Sequence, residues 1–288
     1  MTDAAALARL TGRAVGSVRA TGERHGFRHL EIVFADGQVA FAKVRDGGSG
    51  ADAFAAEAHG LRWLAEAGAL PVPEVLGVDA TALVISMVPA RVTSPAAEEA
   101  FRFGGELAGL HAAGAAGFGA PWPGYIASLP LDNAPGESWP RWYAERRLLP
   151  FLAAAVSSGA LSDAEAGLVH AVAERIEDLA GPAEPPSRIH GDLWHGNVLW
   201  SGGRGWLIDP AAHGGHRETD LAMLALFGAP HLDAVLAGYQ QVAPLAPDWH
   251  ARVPLHQLHP LLVHACLFGA SYQSAVHAAA RSALRLAT

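Results

Sequence analysis

Apolar and polar positions along the chain change their rhythm near residue 88. Before it they come in short alternating or continuous runs, and after it they recur mostly at helical spacing. Residues 1–10 read as a short helix and residues 14–20 as a strand. Residues 30–35 alternate loosely up to Asp36-Gly37, a dipeptide suited to a tight hairpin turn, and residues 38–44 form the next strand. That leaves 21–26 as a turn between strands. Phe54, Ala58, Leu61 and Ala65 fall at core spacing and predict a helix over 52–67 with Asp52 as its N-cap. A short strand over 72–78, interrupted by Pro73 and Gly77, precedes Leu83-Val84-Ile85-Ser86-Met87-Val88. That run reads as a buried strand stopped by Pro89.

The second regime begins with a helix over 96–112, where Phe101, Leu107 and Leu110 lead to His111, read as a hydrogen-bonded structural histidine. Residues 114–133 are rich in Gly and Pro and carry Trp122, Tyr125 and Asn133. They read as a long ordered loop, a kind of segment that often forms a binding surface. Trp142, Arg146, Leu149 and Leu152 mark an amphipathic helix over 139–152. Ser162 and Glu165 make a capping box for a helix over 162–179, which residues 181–186 break. After a short loop at 210–216 another helix starts at Glu218, where Asp220 suits the helix dipole. The last helices are apolar throughout and read as packing.

The 288 residues are 51% hydrophobic and 17% charged, which supports one large or two modest domains with a substantial core. A formal net charge of −8 argues against general nucleic-acid or anionic-membrane binding. No apolar run is long enough to span a bilayer. Cys266 is the only cysteine, so an internal disulfide is excluded, and the N-terminus does not read as a secretory signal. Both features point to the cytoplasm.

Chemistry concentrates in His190-Gly191-Asp192-Leu193-Trp194-His195-Gly196-Asn197 and the stretch after it. Val198-Leu199-Trp200, a Gly-rich turn and Trp206-Leu207-Ile208 read as a β-hairpin. Asn197 enters the first strand and Asp209 leaves the second, so both sit at the open end, with Asp192 on the loop just before. Two carboxylates and an amide at one place supply the oxygen ligands that Mg²⁺ prefers. The order H-x-D, four residues, Asn and a later Asp is similar to the catalytic loop and metal-binding Asp of kinases. In that pattern Asp192 takes the acceptor hydroxyl proton, while Asn197 and Asp209 hold metal on ATP.

Lys43 shares a strand face with Val39 and Phe41, and Glu57 borders the apolar stripe of the following helix. Charges against apolar faces on consecutive elements are costly unless paired. An ion pair between them would place Lys43 on the nucleotide phosphates. The backbone of the 21–26 turn, including Thr21 and Gly22, is a weaker candidate for covering those phosphates. Ser86, Met87 and Val88 fit an adenine-binding connection between lobes, and equally a plain core strand. No long segment and no A-P-E landmark follow Asp209, so the acceptor is a small molecule rather than a docked polypeptide. His256, His259 and His264 lack cysteine or carboxylate partners at ligand spacing, which argues against zinc.

The chain resembles the fructosamine kinase (ketosamine-3-kinase) family, within the wider aminoglycoside/choline kinase-like group. The main carrier is H-G-D-L-W-x-G-N at His190 to Asn197, where Trp194 separates it from the usual aminoglycoside phosphotransferase loop. Phe118-Gly119, Tyr125-Ile126-Ala127-Ser128-Leu129-Pro130 with Asn133, and Trp142-Tyr143-Ala144-Glu145-Arg146-Arg147-Leu148-Leu149-Pro150 also match. So do Asp209-Pro210-Ala211 and Gly215-His216-Arg217-Glu218. The 21–26 turn departs from the family's Gly-Gly loop, and His195 stands where a small residue is common.

The resemblance implies an α+β, protein-kinase-like two-lobed fold: a small antiparallel-sheet N-lobe over 1–88 and a mostly helical C-lobe over 89–288. It implies ATP and Mg²⁺ as cofactors and transfer of the γ-phosphoryl group to the third-carbon hydroxyl of a fructosamine. The partner is then a small-molecule ketosamine or glycated amine, with Trp194, His195 and Asn133 as substrate residues. Trp194 fits two roles, a stacking plane for the acceptor or an indole packed under the loop. Two rival readings stay open: a kinase for an aminoglycoside or amino alcohol, and a non-catalytic nucleotide-binding relic. The physiological amine and the oligomeric state are not legible in the sequence.

Overall fold

Alternation in the N-terminal third builds a sheet with two useful faces. The computed structural model describes residues 4–24, 26–45, 51–89 and 94–287. Helix α1 (Ala4–Thr11) precedes strands β1 (Val15–Arg24), β2 (Phe27–Phe34) and β3 (Val39–Val44). Helix α2 (Ala51–Glu66) then leads to β4 (Val75–Val78) and β5 (Ala82–Ser86). The strands form one antiparallel sheet in the order β1-β2-β3-β5-β4. On one face Leu30, Ile32, Ala40, Ala42 and Val84 pack with Leu7 of α1. On the other, Phe27, Leu83 and Ile85 pack with Phe54, Ala58 and Leu61 of α2. Lys43 belongs to the α2 face, because it alternates with the buried Ala42 and Val44.

The larger lobe starts with α3 (Ala97–Ala112). A hairpin of β6 (Gly124–Ile126) and β7 (Leu129–Leu131) follows, then α4 (Trp139–Tyr143), a π-helical turn (Ala144–Leu148) and α5 (Leu149–Ser157). Next come α6 (Asp163–Glu174), α7 (Ile176–Leu179), β8 (Ser187–Ile189), β9 (Val198–Ser201), β10 (Arg204–Leu207) and β11 (His213–Gly215). Helices α8 (Arg217–Leu226), α9 (Leu232–Val242), α10 (Trp249–Phe268) and α11 (Gln273–Leu284) complete it. One core joins α3 and α9 to the β9–β10 hairpin through Phe103, Leu107, Trp200, Leu207 and Tyr239. A second lies among α4–α6, α10 and α11. The result is an α+β, protein-kinase-like fold with a small sheet lobe and a helical lobe. No helix among the described residues is long and apolar enough to cross a membrane.

Several local expectations are corrected. Thr21 and Gly22 are not turn residues, because β1 runs to Arg24, with a register shift at Thr21 and pairs Gly22–His29 and Arg24–Phe27. The cause is Phe27, which is buried against Phe54 at 5.0 Å between ring centroids and so carries pairing to the hairpin tip. His25 of the expected 21–26 turn and residues 1–3 of the expected N-terminal helix lie outside the described residues. Asp52 sits inside the first turn of α2 rather than capping it, and Leu64 takes the buried position expected for Ala65. The 114–133 loop contains the β6–β7 hairpin. The 139–152 helix is interrupted by the π-helical turn just before Pro150, whose missing N–H cannot serve the usual ladder. The capping box at Ser162 forms as expected, but α6 stops at Glu174.

Candidate active site

The segment from His190 to Ala212 is held at both ends, because β8 pairs with β11 beneath it. Its start hangs on Asp220. That carboxylate, fully buried at 0% exposure, accepts the backbone N–H of His190 at 2.7 Å and of Gly191 at 3.0 Å. His111 contacts it at 3.1 Å and is bonded in turn to the Tyr239 hydroxyl at 2.8 Å. Burial works against the Asp220 charge, yet the His111 and backbone bonds hold its pKa below the usual carboxylate range. Asp220 therefore anchors the loop instead of decorating a helix end. His111 is structural, as expected. Gly191 has φ +81°, and a Cβ there would lie 2.3 Å from the Ala211 carbonyl oxygen, so only glycine fits.

His190 fixes the loop from inside. Its Nε2 donates to the Ile208 carbonyl at 2.9 Å, and its Nδ1 accepts the Asp192 N–H at 3.2 Å. Those partners demand one neutral tautomer, consistent with a pKa lowered by burial. The hairpin closes as its sequence predicts. Val198 pairs with Leu207, and Ile208 N–H donates to the Asn197 carbonyl at 3.1 Å. Asn197 Nδ2 donates to the Asp192 carbonyl at 2.8 Å and to Asp192 Oδ2 at 3.1 Å. That leaves its Oδ1 as the atom that could take a metal ion. Asp209 takes a left-handed backbone, φ +54°, a strained conformation of the kind that clusters at functional sites.

The two lobes meet on Lys43. Its Nζ lies 2.7 and 2.8 Å from the Glu57 oxygens and 2.8 Å from Asp209 Oδ1. Desolvation opposes the lysine charge, but Asp209 and Glu57 more than offset it and raise its pKa. Asp209, although burial opposes its charge, is held below its usual value by the ammonium. Glu57 lies above its usual value, because burial outweighs a lysine shared with a second carboxylate. Asp192 has no cation partner among the described residues. Burial, then the Asp209 charge, push its pKa up to about 7.

These groups line a polar cavity of about 130 Å³, walled on one side by Tyr125, Ile126 and Ala127. A second cavity, of about 530 Å³, adjoins it between the loop and α10. Arg24, Ile126, Ala127, Asp192 and Trp194 line both, and His195 lines the second. Trp194 lies over Gly196, where a Cβ would come within 2.2 Å of the indole. The glycine lets the indole fold flat over the loop.

Several expected site residues are not among the lining of these two cavities. Thr21, Gly22, Ser86, Met87 and Val88 line neither cavity. Ser86 N–H donates to the Glu74 carbonyl at 2.8 Å and Met87 N–H to the Val39 carbonyl at 3.3 Å, so sheet pairing claims both. Asn133 is buried, accepts from Arg147 at 2.7 Å and donates to the Trp122 carbonyl at 3.3 Å, which commits it to the scaffold. Residues 142–150 also stand behind the site. Sequence reasoning missed Arg24, Phe227 just after α8, His264 and Phe268 of α10, and Tyr272 just after it. A single arginine and rings scattered among core-spaced apolar residues carry no local signal of a cavity.

A compact His216–Glu218–His256 cluster lies apart from the cleft. Arg252 takes both Glu218 oxygens, at 2.6 and 2.9 Å, so a guanidinium already fills the position a cation would need. His256 Nδ1 is bonded to Thr219 at 3.0 Å and His264 Nδ1 donates to the Pro260 carbonyl at 2.7 Å. The oxygen donors of Asn197 and Asp209 suit Mg²⁺ far better than this nitrogen-rich group.

Comparisons with known proteins agree with this geometry. The fructosamine kinase family profile matches residues 11–285. A probable ketoamine kinase, YniA, from Escherichia coli is 34% identical over 225 residues, covering 76% of each chain. A crystal structure of a candidate fructosamine-3-kinase from Thermobifida fusca is 51% identical, with a TM-score of 0.94 and 98% of each chain covered. A type I macrolide 2′-phosphotransferase, at 20% identity and TM-score 0.65 over 98% of this chain and 95% of that one, shares the fold. Profile, relatives and cleft together show that the chain belongs to the fructosamine kinase family of ATP-dependent small-molecule phosphotransferases.

Proposed function

We propose that the protein transfers the γ-phosphoryl group of ATP to a sugar hydroxyl of a fructosamine, at its third carbon. The observation that carries this reading is the position of Asp192, the one carboxylate lining both the polar cavity and the cavity beside Trp194. A base that serves two reactants must face both. With its pKa near 7, Asp192 can accept the acceptor hydroxyl proton at neutral pH, a role that contributes ~10²–10⁴-fold. Asn197 holds the Asp192 carboxylate in place through Nδ2.

Lys43 stays charged and, oriented by Glu57, directs its ammonium at the nucleotide phosphates. Asn197 Oδ1 and Asp209 would hold Mg²⁺, which when bound neutralises the charge of the phosphate groups. Trp194 offers the acceptor an apolar plane. The cavity beside it has Asp192 as its only carboxylate, a poor match for a polycationic aminoglycoside. Purified protein with Mg·ATP should consume ATP with a model fructosyl-amine and little with kanamycin or choline. The reverse preference removes the ketosamine assignment and leaves the phosphotransferase assignment standing.

A further inference from the structure

The cavity beside Trp194 is far larger than the polar one, about 530 against 130 Å³, so it holds more than a reacting hydroxyl. Its outer wall is a continuous run of rings. Trp194 and Phe227 lie 6.3 Å apart, Phe227 and His264 5.0 Å, and His264 and Tyr272 4.9 Å, between centroids. Phe268 continues the run at 5.5 Å from His264. Phe268 is 52% exposed, and among the exposed large hydrophobics of the described residues it is the one that lines this cavity. What is informative is the contiguity: a run of rings along a cavity, open at Phe268, is apolar surface that gains free energy when an apolar group covers it.

Among the described residues, fixed charge in the lining is limited to Asp192 and Arg24. Asp192 is engaged with the reacting hydroxyl. A cationic group placed deeper would find no counter-charge and would share the cavity with the Arg24 guanidinium. His264 donates Nδ1–H to the Pro260 carbonyl, and burial lowers its pKa, so it presents a neutral ring.

We infer that this cavity receives the substituent on the acceptor's amine and selects an apolar one over one ending in a cation, with Phe268 and Tyr272 as specificity-determining residues. The inference rests on the ketosamine reading above and concerns the part of the acceptor that does not react. Burying two or three more methylenes separates matched substrates by roughly tenfold or more.

The test compares two fructosyl-amines of similar length, made from 3-methylbutylamine and from 1,4-diaminobutane. With wild-type protein and Mg·ATP, kcat/KM should be about tenfold higher for the methylbutyl adduct. Phe268→Ser should shrink that ratio several-fold and lower kcat/KM for fructosyl-methylamine, which does not reach the wall, far less than for the methylbutyl adduct; Phe268→Leu should restore most of the ratio. Phe268 is exposed, so neither change threatens folding. Equal values for the two adducts, preference for the diamine adduct, or an unchanged ratio in Phe268→Ser overturns the inference with the ketosamine reading intact. Phosphorylation of none of the three overturns both.

Discussion

The two halves of the cleft are built on opposite principles. The inner half holds Lys43, Glu57, Asp209, Asp192 and Asn197, paired or bonded to one another within about 3 Å. The outer half presents Trp194, Phe227, Phe268 and Tyr272 with hardly any charge. Phosphoryl transfer needs charges held in place before the reaction, and burial makes each one costly unless partnered. Acceptor selection needs surface that gains free energy by leaving water. The inner half is therefore intolerant of single changes, and the outer half is graded.

Asp192 breaks the comparison most sharply. Asp192→Asn keeps the shape and removes the base, so turnover should fall ~10²–10⁴-fold while ATP affinity changes little. For the wild type, kcat/KM should rise with pH through about 7, where Asp192 loses its proton. The same substitution should stabilise the protein. The folded pKa of about 7 lies above the ordinary 3.8, so between those values the folded state keeps a proton that the unfolded state has lost. Stability therefore declines as pH rises through that window, and the cost is complete above about 7. Asp192→Asn removes it, worth on the order of 1–2 kcal/mol at pH 8 after solvent screening in the cleft, and nothing below about pH 4. A melting curve of Asp192→Asn no higher than wild type at pH 8 would contradict the unpaired buried carboxylate.

The Lys43 cluster comes next. Lys43→Ala leaves two carboxylates facing each other without their cation, and should cost about 3–5 kcal/mol in stability as well as turnover. Glu57→Ala should be milder in stability, since Asp209 still pairs with Lys43. In a double-mutant cycle on kcat/KM the pair should be strongly non-additive. Additive losses would show that the contact does not act as one unit. Asp209→Ala should abolish Mg²⁺-dependent turnover, and its survival at wild-type rates would remove the metal assignment.

Trp194 sharpens the comparison from the other side. Trp194→Ala should raise the acceptor KM by about tenfold and the ATP KM far less, because the indole walls the larger cavity proposed for the acceptor and only borders the polar one. A matching rise in the ATP KM would place the indole in the nucleotide site. Smallest is the Phe268 effect described above, confined to the choice among acceptors.

The inner half was largely legible from the chain. Asp192, Asn197 and Asp209 are read from one hairpin, and the Lys43–Glu57 pair from alternation on β3 followed by helical spacing on α2. The contact of Lys43 with Asp209 was not, since it joins residues of different lobes. Asp220 was misread for a related reason. A carboxylate early in a helix looks like a dipole partner unless the buried backbone of His190 and Gly191 is seen above it. Thr21 and Gly22 were placed on a loop because burial of Phe27, which prolongs the hairpin, is tertiary. Asn133 was placed on the acceptor before its buried partner Arg147 was visible.

Local chemistry was thus determined by the sequence itself: a loop whose His, Asp and Asn stand at set spacing, a hairpin that brings Asn197 to Asp209, and a strand lysine that needs a counter-charge. Those relations depend on neighbours along the chain, where backbone geometry leaves few alternatives. The tertiary structure alone decided that Asp192 stands between two cavities, that Lys43 bridges the lobes, and that α10 walls the larger cavity with the His264 and Phe268 rings. Packing brings together residues far apart in the chain, and an apolar residue carries the same local pattern whether it fills a core or faces a ligand.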